Sequence, residues 1–258
     1  MKPPAIKAMI MAAGRGERMR PLTDTTPKPL LTVHGKPLIQ WHMEALARGG
    51  FRQLVVNTAW LGDRIVARIG SICTLYTASA LPGSLPKPEH VEIAYSHEGR
   101  DFGGALETTG GIVRALPLLG EAFWVVAGDI HAPDFCFSPS AVNDFLASGK
   151  LAHLWLVPNP EHHPKGDFGL APDGLALNQA PQTYTYSSIG LYRATLFAPP
   201  WCDIPAGNPQ GVKAALVHLL RAAIDQGQIS AALYQGAWTD VGTPERLAQL
   251  NSVGQADA

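Results

Sequence analysis

The sequence predicts an α/β protein with a mostly parallel central sheet. Short apolar runs alternate along the chain with segments whose apolar residues recur at helical spacing, the pattern that β-α-β units produce. The composition indicates a globular chain, because 46% of the residues are hydrophobic, 16% are charged and the net charge is −1. A disordered chain would combine low hydrophobicity with high net charge. The 26 Gly and 22 Pro predict many turns between the elements.

The elements of the first half alternate regularly. Apolar runs predict strands, and amphipathic segments bounded by Gly or a capping residue predict helices. Predicted strands cover residues 8–13, 54–56, 91–95 and 123–127, and predicted helices cover residues 37–48, 61–69 and 109–119. The hydroxyl of Thr108 or Thr109 is expected to cap the third of these helices.

The second half mixes regular and irregular segments. Predicted helices cover residues 140–147 and 212–224, predicted strands cover residues 151–157 and 238–241, and residues 168–196 form a turn-rich, strand-like stretch. Thr243, Pro244 and Glu245 are expected to open a last helix as N-cap, first-turn proline and first-turn acid. Residues 77–90 and 199–211 have few apolar anchors and are predicted to be irregular loops.

Several classes of protein are disfavoured by the composition. Cys73, Cys136 and Cys202 are too few and too scattered for a disulfide framework or a zinc site. The near-neutral charge argues against bulk binding to nucleic acid or to an anionic membrane. No apolar run approaches the ~18 residues of a membrane span. The expected setting is the reducing cytoplasm, and no linker divides the chain, so a single domain over residues 1–258 is expected.

A glycine-rich, basic loop follows the first predicted strand. Gly14-Arg15-Gly16 is followed closely by Arg18 and Arg20 and, twelve positions after Gly16, by Lys28. Glycines let backbone N–H groups approach phosphate oxygens, and guanidinium groups match those oxygens in geometry. The spacing fits neither a dinucleotide fingerprint nor a P-loop. A plain structural turn or a solvated basic loop remains an alternative interpretation of this segment.

Two aspartates stand where predicted strands end. Asp129 closes the apolar run at residues 123–127, and Asp240 lies just before the last predicted helix. Ligands of open α/β sheets gather at the carboxyl ends of strands. Two hard oxygen donors without a Cys or His cluster favour Mg²⁺ over Zn²⁺. Each aspartate alone could equally be a helix cap or a turn residue.

The motifs in this region resemble those of a known enzyme family. The segment from Met11 to Thr23, followed by Thr26 to Leu30, resembles the signature of sugar-1-phosphate nucleotidylyltransferases. The resemblance implies a Rossmann-like nucleotidyltransferase fold, with a mixed, mostly parallel central sheet flanked by helices. It also implies Mg²⁺-dependent transfer of a nucleoside monophosphate from a nucleoside triphosphate onto a sugar 1-phosphate. The expected partners are these two substrates, in a monomer or small homo-oligomer without nucleic acid or membrane.

The resemblance also implies roles for individual residues. The nucleotide-binding part is expected over residues 1–135 and the sugar-binding part over residues 136–258. Arg18 and Lys28 are expected to be catalytic, and Asp129 and Asp240 are expected to bind the metal. The implied nucleotide-binding residues are Ala12, Ala13, Gly14, Arg15, Gly16, Glu107, Thr108 and Gly110, and the implied sugar-binding residues are Asn159, Asp167 and Gly190.

A finer resemblance concerns the substrates. Segments 57–61, 106–108, 159–163 and 166–168 look like those of the N-acetylmuramate 1-phosphate uridylyltransferases of peptidoglycan recycling, which implies UTP as the donor. His162 and His163 are interpreted as a polar loop at the sugar pocket. Transfer to mannose 1-phosphate, glucose 1-phosphate or phosphocholine from another triphosphate is the alternative. A non-catalytic nucleotide-sensing module on the same fold is disfavoured, because Lys28 and both aspartates are present.

Overall fold

The computed structural model describes residues 6–77 and 87–253. Its strands are β1 (Lys7–Met11), β2 (Thr32–Val33), β3 (Lys36–Pro37), β4 (Gln53–Thr58), β5 (Ile72–Thr77), β6 (Lys87–His97), β7 (Ala122–Ala127), β8 (Ile130–His131), β9 (Ala152–Val157), β10 (Gly169–Leu170), β11 (Ala176–Leu177), β12 (Thr185–Arg193), β13 (Ile229–Leu233) and β14 (Thr239–Asp240). Its helices are α1 (Leu22–Thr25), α2 (Leu38–Arg48), α3 (Gly62–Ile69), α4 (Glu98–Phe102), α5 (Glu107–Ala115), α6 (Pro139–Ser148), α7 (Leu216–Asp225) and α8 (Pro244–Val253). Short 3-10 turns lie at Glu17–Met19, Lys28–Leu30, Leu116–Leu118 and Ala194–Phe197.

An eight-stranded sheet in the order β13-β9-β12-β7-β1-β4-β6-β5 forms the centre of the fold. The strands β7, β1, β4 and β6 are parallel to one another. β12 runs antiparallel between β7 and β9, and β5 runs antiparallel at the edge. The predicted mixed, mostly parallel sheet is therefore confirmed. No helix among the described residues is long and apolar enough to span a membrane.

Helices cover both faces of this sheet, as β-α-β connections require. Alternate residues of β1 point to opposite faces, so Ala8 and Ile10 belong to one apolar cluster and Met9 to the other. α2 and α6 pack on the first face, and α5 and α7 pack on the second. Because both of its faces are covered, β1 is a continuous apolar run, which is why the sequence predicted it correctly.

The start of α5 differs from the prediction. The helix begins at Glu107 rather than at residue 109, and no side chain caps it. The carbonyl of Ala214 instead accepts hydrogen bonds from the backbone N–H groups of Thr109 and Gly110, at 2.9 and 3.2 Å. The predicted threonine cap is therefore wrong, because a distant segment supplies the acceptor.

The same contact explains why α7 begins at Leu216 rather than at residue 212. The backbone N–H of Ala214 donates to the carbonyl of Leu106 at 3.1 Å, so this segment is extended against α5. Asn208, which is fully buried, donates to the carbonyls of Gly110 and Val212 at 3.1 and 2.9 Å. The loop at 199–211 is irregular, as predicted, but it is anchored.

The predicted loop at residues 77–90 lies largely outside the described residues. Residues 87–90 belong to β6, so the prediction is wrong there. Thr74 pairs with His90 and Cys73 with Val91 in an antiparallel register. The strand predicted at 91–95 therefore extends toward the N-terminus over Lys87 to His90, which lack its alternation of polar and apolar residues.

Candidate active site

A cavity of about 330 Å³ opens at the carboxyl ends of β1, β4 and β7. Such an edge is where open α/β sheets place their ligands. Seven of the predicted site residues line it, namely Ala12, Ala13, Gly14, Lys28, Glu107, Thr108 and Asp129. The structure therefore brings the glycine-rich loop, the lysine and one aspartate together around one space.

Lys28 and Asp129 meet at this cavity. The Lys28 Nζ atom donates a hydrogen bond to Asp129 Oδ2 at 2.6 Å. Only 8% of Lys28 is exposed, whereas the side chain of Asp129 is 42% exposed. Lys28 lies in a 3-10 turn that follows Pro27, and Pro29 comes next, so the backbone that carries the ammonium group is stiff. The site thus places the largely dehydrated ammonium group of Lys28 in a fixed position beside the more accessible carboxylate of Asp129.

The loop that carries Arg18 is braced from within. Arg15 donates to the carbonyl of Thr23 at 2.9 Å and to Asp24 Oδ1 at 3.0 Å, and its guanidinium lies 3.7 Å from the centroid of the Trp60 ring. Arg20 donates to the same Asp24 oxygen at 2.8 Å. The hydrogen bond from Arg15 lowers the pKa of Asp24. Arg15 and Arg20 therefore hold the loop together.

Arg18 is arranged differently from its neighbours. Its side chain is exposed and makes no hydrogen bond to any residue that the structure describes. Gly16, with φ +67°, turns the loop just before it, and a Cβ at Gly16 would lie 3.0 Å from Thr23 and 3.3 Å from Lys28 Cβ. The glycine lets the loop pack against Lys28 and leaves Arg18 available to a ligand.

Asp240 is joined to the Asp129 segment through the short pair of strands β8 and β14. The backbone N–H of Val241 donates to the carbonyl of Asp129 at 2.8 Å. The carboxylate of Asp240 lies 2.8 Å from His162 Nε2 and forms an ion pair with Arg246. Asp240 does not line the first cavity, but its backbone lies next to that of Asp129.

These two aspartates are a donor set that suits Mg²⁺. Both are hard oxygen donors, although in this structure Asp129 is paired with Lys28 and Asp240 with Arg246. Within residues 6–77 and 87–253, no group of three or more His, Cys, Asp and Glu side chains is arranged to hold a metal ion. Mg²⁺ commonly uses one or two carboxylates together with substrate phosphates and water. The residues present fit that arrangement.

A second cavity of about 360 Å³ adjoins the first and shares Met11, Thr108, Ala127 and Ser188 with it. Asp167 lines this cavity, and its carboxylate accepts a hydrogen bond from the backbone N–H of Tyr186 at 2.8 Å. His163 Nε2 lies 3.1 Å from the other carboxylate oxygen. The opposite wall is apolar and consists of Leu216, Val217 and Leu220 of α7. The space can therefore take a ligand with both polar and apolar groups.

Besides Arg15, Gly16, Arg18 and Asp240, which line neither cavity, three more of the residues expected to contact ligands lie elsewhere. Asn159 holds its own loop, because its amide donates to the carbonyls of Pro164 and Thr183 at 3.1 and 3.0 Å. Gly190 lies within β12, between Val125 and Leu154. Gly110 packs against the carbonyl of Val212, where a Cβ would collide. None of the three lines either cavity.

Three polar residues that were not predicted to belong to the site also line the first cavity, namely Asn57, Glu98 and Ser188. Asn57 and Glu98 are fully buried, and burial raises the pKa of Glu98. The position of Asn57 near the carboxyl end of an apolar strand could have predicted that it belongs to the site. Nothing local distinguishes Glu98 from an ordinary surface glutamate that begins a helix.

The chain is similar to known proteins over nearly its whole length. Residues 7–255 match the family model described as nucleotidyl transferase. A Neisseria meningitidis N-acetylmuramate α-1-phosphate uridylyltransferase is 44% identical over 97% of this chain and 99% of its own length. The enzyme of the same description from Caulobacter vibrioides is 32% identical over 92% of both chains. A solved Bacillus anthracis structure, described as a glucose-1-phosphate thymidylyltransferase, superposes with a TM-score of 0.73 at 19% identity, over 98% of this chain and 97% of its own.

Proposed function

Since the chain belongs to the nucleotidyl transferase family, we propose that it transfers UMP from UTP onto N-acetylmuramate α-1-phosphate and releases pyrophosphate. The observation that carries the activity is the pair formed by Lys28 and Asp129 in a cavity walled by the glycine-rich loop. The choice of UTP and of the acceptor follows the two uridylyltransferase relatives, whose similarity extends over both cavities.

The reaction is a displacement at the α-phosphorus of UTP. A phosphate oxygen of the sugar 1-phosphate forms the new P–O bond, and the bond between the α-phosphorus and the bridging oxygen breaks. Pyrophosphate leaves with that electron pair. The attacking oxygen is already anionic, so no general base is required. The difficulty is to bring two polyanions together, and catalysis of this kind depends on positioning and on electrostatic stabilisation.

The chain supplies these effects from three places. The backbone at Ala12 to Gly14 lies along the first cavity and would run beside the triphosphate. Lys28 would stabilise charge at the reacting phosphates, since it is held in place and largely dehydrated. Arg18 would neutralise the departing pyrophosphate from the braced loop. Glu107 and Thr108, on the opposite wall, would face the base and ribose.

Asp129 and Asp240 would hold Mg²⁺ at the phosphates. The ion, when bound, supplies additional positive charge for the phosphate oxygens of both substrates. The ammonium of Lys28 and the guanidinium of Arg246 keep the two carboxylates in place.

The acceptor sugar would occupy the second cavity. The carboxylate of Asp167 can accept hydrogen bonds from sugar hydroxyl or acetamido groups, and the α7 wall can pack against the methyl groups of the substituents. Asn159 and His163 support this side by holding the loop and the Asp167 carboxylate. With this acceptor, the reaction would take place in the cytoplasm, in the recycling of peptidoglycan sugars.

Pyrophosphate release tests the proposal. The protein would be incubated with each of ATP, CTP, GTP and UTP and each of N-acetylmuramate, N-acetylglucosamine, glucose and mannose 1-phosphates, with and without Mg²⁺. We expect release with UTP and N-acetylmuramate α-1-phosphate in the presence of Mg²⁺. Release with GTP and mannose 1-phosphate alone would replace the proposed substrates, and no release with any pair would defeat the enzymatic function.

A further inference from the structure

Asn57 and Glu98 connect the two walls of the first cavity. The backbone N–H of Ala12, in the glycine-rich loop, donates to Asn57 Oδ1 at 2.6 Å. Asn57 Nδ2 donates to Glu98 Oε1 at 2.7 Å, and the backbone N–H of Leu106 donates to Glu98 Oε2 at 2.8 Å. A continuous chain of three hydrogen bonds therefore runs from the phosphate side of the cavity to the turn at Leu106 and Glu107.

This chain of hydrogen bonds has a fixed polarity. Both of its ends are backbone N–H donors, so the amide of Asn57 must turn its oxygen toward Ala12 and its nitrogen toward Glu98. Both oxygens of Glu98 then act as acceptors, as those of an ionised carboxylate do. All of these groups are buried, and an unpaired buried donor is costly. The two walls are thus joined by hydrogen bonds whose donors and acceptors can be arranged in only one way.

The turn that this connection holds is strained. Glu107 follows Leu106 directly and has φ +60°, a conformation that residues other than glycine rarely adopt. The backbone groups of Leu106 are fixed on both sides, by Glu98 at the N–H and by Ala214 at the carbonyl. This turn carries Glu107 and Thr108 into the wall of the cavity. A loss of the Glu98 contact would release it.

The neighbouring helix leaves room for the carboxylate. Gly111 of α5 is buried, and a Cβ at this position would lie 2.6 Å from Glu98 Oε1 and 3.1 Å from Asn57 Nδ2. Only glycine admits both side chains in their present positions. Burial raises the pKa of Glu98, and the hydrogen bonds from Leu106 and Asn57 and the charge of Arg114 oppose that shift.

We propose that Asn57 and Glu98 are positioning residues that set the spacing between the phosphate loop and the Glu107 turn, and through it the affinity for the nucleotide. The inference rests on the proposed function, because it takes the ligand of the first cavity to be UTP. The acceptor sugar phosphate would occupy the second cavity, which shares Thr108 with the first but whose Asp167 and α7 walls lie outside the first, so its binding should depend on this pair less than UTP binding does.

A swap of polarity tests the proposal. In Glu98→Gln, one amide hydrogen must face another donor, whichever way the new amide at position 98 and the amide of Asn57 are turned. The double substitution Asn57→Asp with Glu98→Gln restores the chain of hydrogen bonds, because the new carboxylate at position 57 accepts from Ala12 and from the amide at position 98. The amide oxygen at position 98 then accepts from Leu106. The matched control is Glu44→Gln, since Glu44 is a buried carboxylate that accepts from Lys36 and Gln40 and lines neither cavity.

The readouts are the dissociation constant of UTP by calorimetry, the KM of the acceptor, and the thermal midpoint. We expect Glu98→Gln to weaken UTP binding by about tenfold or more, and the double variant to return within about threefold of wild type. The KM of the acceptor should change by a smaller factor than the dissociation constant of UTP in Glu98→Gln. Glu44→Gln should lower the thermal midpoint without a change in UTP affinity.

Other results would overturn the proposal. These are unchanged UTP affinity in a folded Glu98→Gln variant, an equal loss in Glu44→Gln, or a folded double variant that remains more than about tenfold weaker. If Glu98→Gln does not fold, the double variant decides alone, because it must fold and bind UTP nearly as well as wild type. If the wild-type protein binds no UTP, the proposed function fails and this inference fails with it.

Discussion

The Nζ atom of Lys28 lies 2.6 Å from Oδ2 of Asp129, although 101 positions separate the two residues in the chain. The pair forms because β1 and β7 are parallel neighbours, so that the loops after both strands leave the sheet at the same edge. Lys28 belongs to the first of these loops and Asp129 to the second. The fold therefore converts two distant motifs into one charged site.

Replacement of Lys28 by Met should remove most of the activity and leave the fold intact. The substitution keeps the aliphatic stem and removes the charge that faces the phosphates. We expect kcat/KM to fall by about 10²–10³, the size of loss seen when one preorganised electrostatic contact is deleted. Steady-state kinetics with far-UV circular dichroism measures both properties. Lys36→Met, which breaks an ion pair with Glu44 outside the cavities, is the control. Near-wild-type turnover in Lys28→Met would refute the role given to this residue.

Replacement of Asp240 by Asn should raise the Mg²⁺ concentration needed for activity. The substitution keeps the size of the side chain and removes one of the two charges that would hold the ion. We expect the half-activating Mg²⁺ concentration to rise by about tenfold or more. A titration of activity with Mg²⁺ measures it, and Asp203→Asn, at an exposed position of the 199–211 loop, is the control. An unchanged titration curve would remove Asp240 from the metal site.

Substitution of Arg15 should lower the stability of the protein, whereas substitution of Arg18 should lower its activity. Arg15 stacks on Trp60 and donates to the loop, so Arg15→Ala should cost about 1 kcal/mol, or roughly 2–4 °C in thermal midpoint. Arg18 is exposed, so Arg18→Ala should leave the midpoint unchanged and lower kcat/KM by about 10². Thermal denaturation and kinetics on both variants decide the assignment. The opposite pattern would make Arg15 the phosphate ligand and Arg18 the brace.

His153 should make the protein less stable as the pH falls below 6.5. Burial lowers the pKa of His153 from 6.5 to about 4 in the folded protein. Between these values the unfolded chain binds a proton that the folded chain does not, so the free energy of unfolding falls with falling pH, by at most about 1.4 kcal/mol per pH unit. Urea denaturation at pH 7, 5.5 and 4.5 measures the dependence.

A pair of histidine variants isolates the contribution of His153. His153→Gln should be less sensitive to acid than wild type over this range, whereas His218→Gln, at an exposed position, should match wild type. Equal pH dependence in wild type and His153→Gln would show that this residue is not the source.

The parts of the fold that depend on local pattern were predictable. β1, β4 and β7 are apolar because both faces of the sheet are covered, and α2 shows its buried stripe directly. The starts of α5 and α7 were not predictable, since they depend on contacts between Ala214 and residues near 106–110. No local pattern encodes a backbone acceptor supplied from a hundred residues away.

The candidate site divides in the same way. The glycine-rich loop, Lys28 and Asp129 could be predicted as site residues from the short motifs that contain them, and they line one cavity in the structure. The guanidinium of Arg15 stacks on Trp60, which belongs to a distant segment of the chain. The role of Arg15 could therefore not be separated from that of Arg18 in the sequence. Asn57 and Glu98 could not be predicted as site residues, because the burial of a polar side chain depends on the packed fold and not on the local sequence. Gly190 and Gly110 show the converse, since Gly190 serves packing within the sheet and Gly110 lets α5 approach the carbonyl of Val212.

The identity of the nucleotide sugar formed in a competition tests the account most directly. The protein would receive N-acetylmuramate α-1-phosphate, Mg²⁺ and an equimolar mixture of ATP, CTP, GTP, UTP and dTTP, and mass spectrometry would identify the product. We predict UDP-N-acetylmuramate with one pyrophosphate released per molecule, formed about a hundredfold or more slowly by the Lys28→Met variant. A product that carries another nucleotide, or no nucleotide sugar at all, would contradict the account.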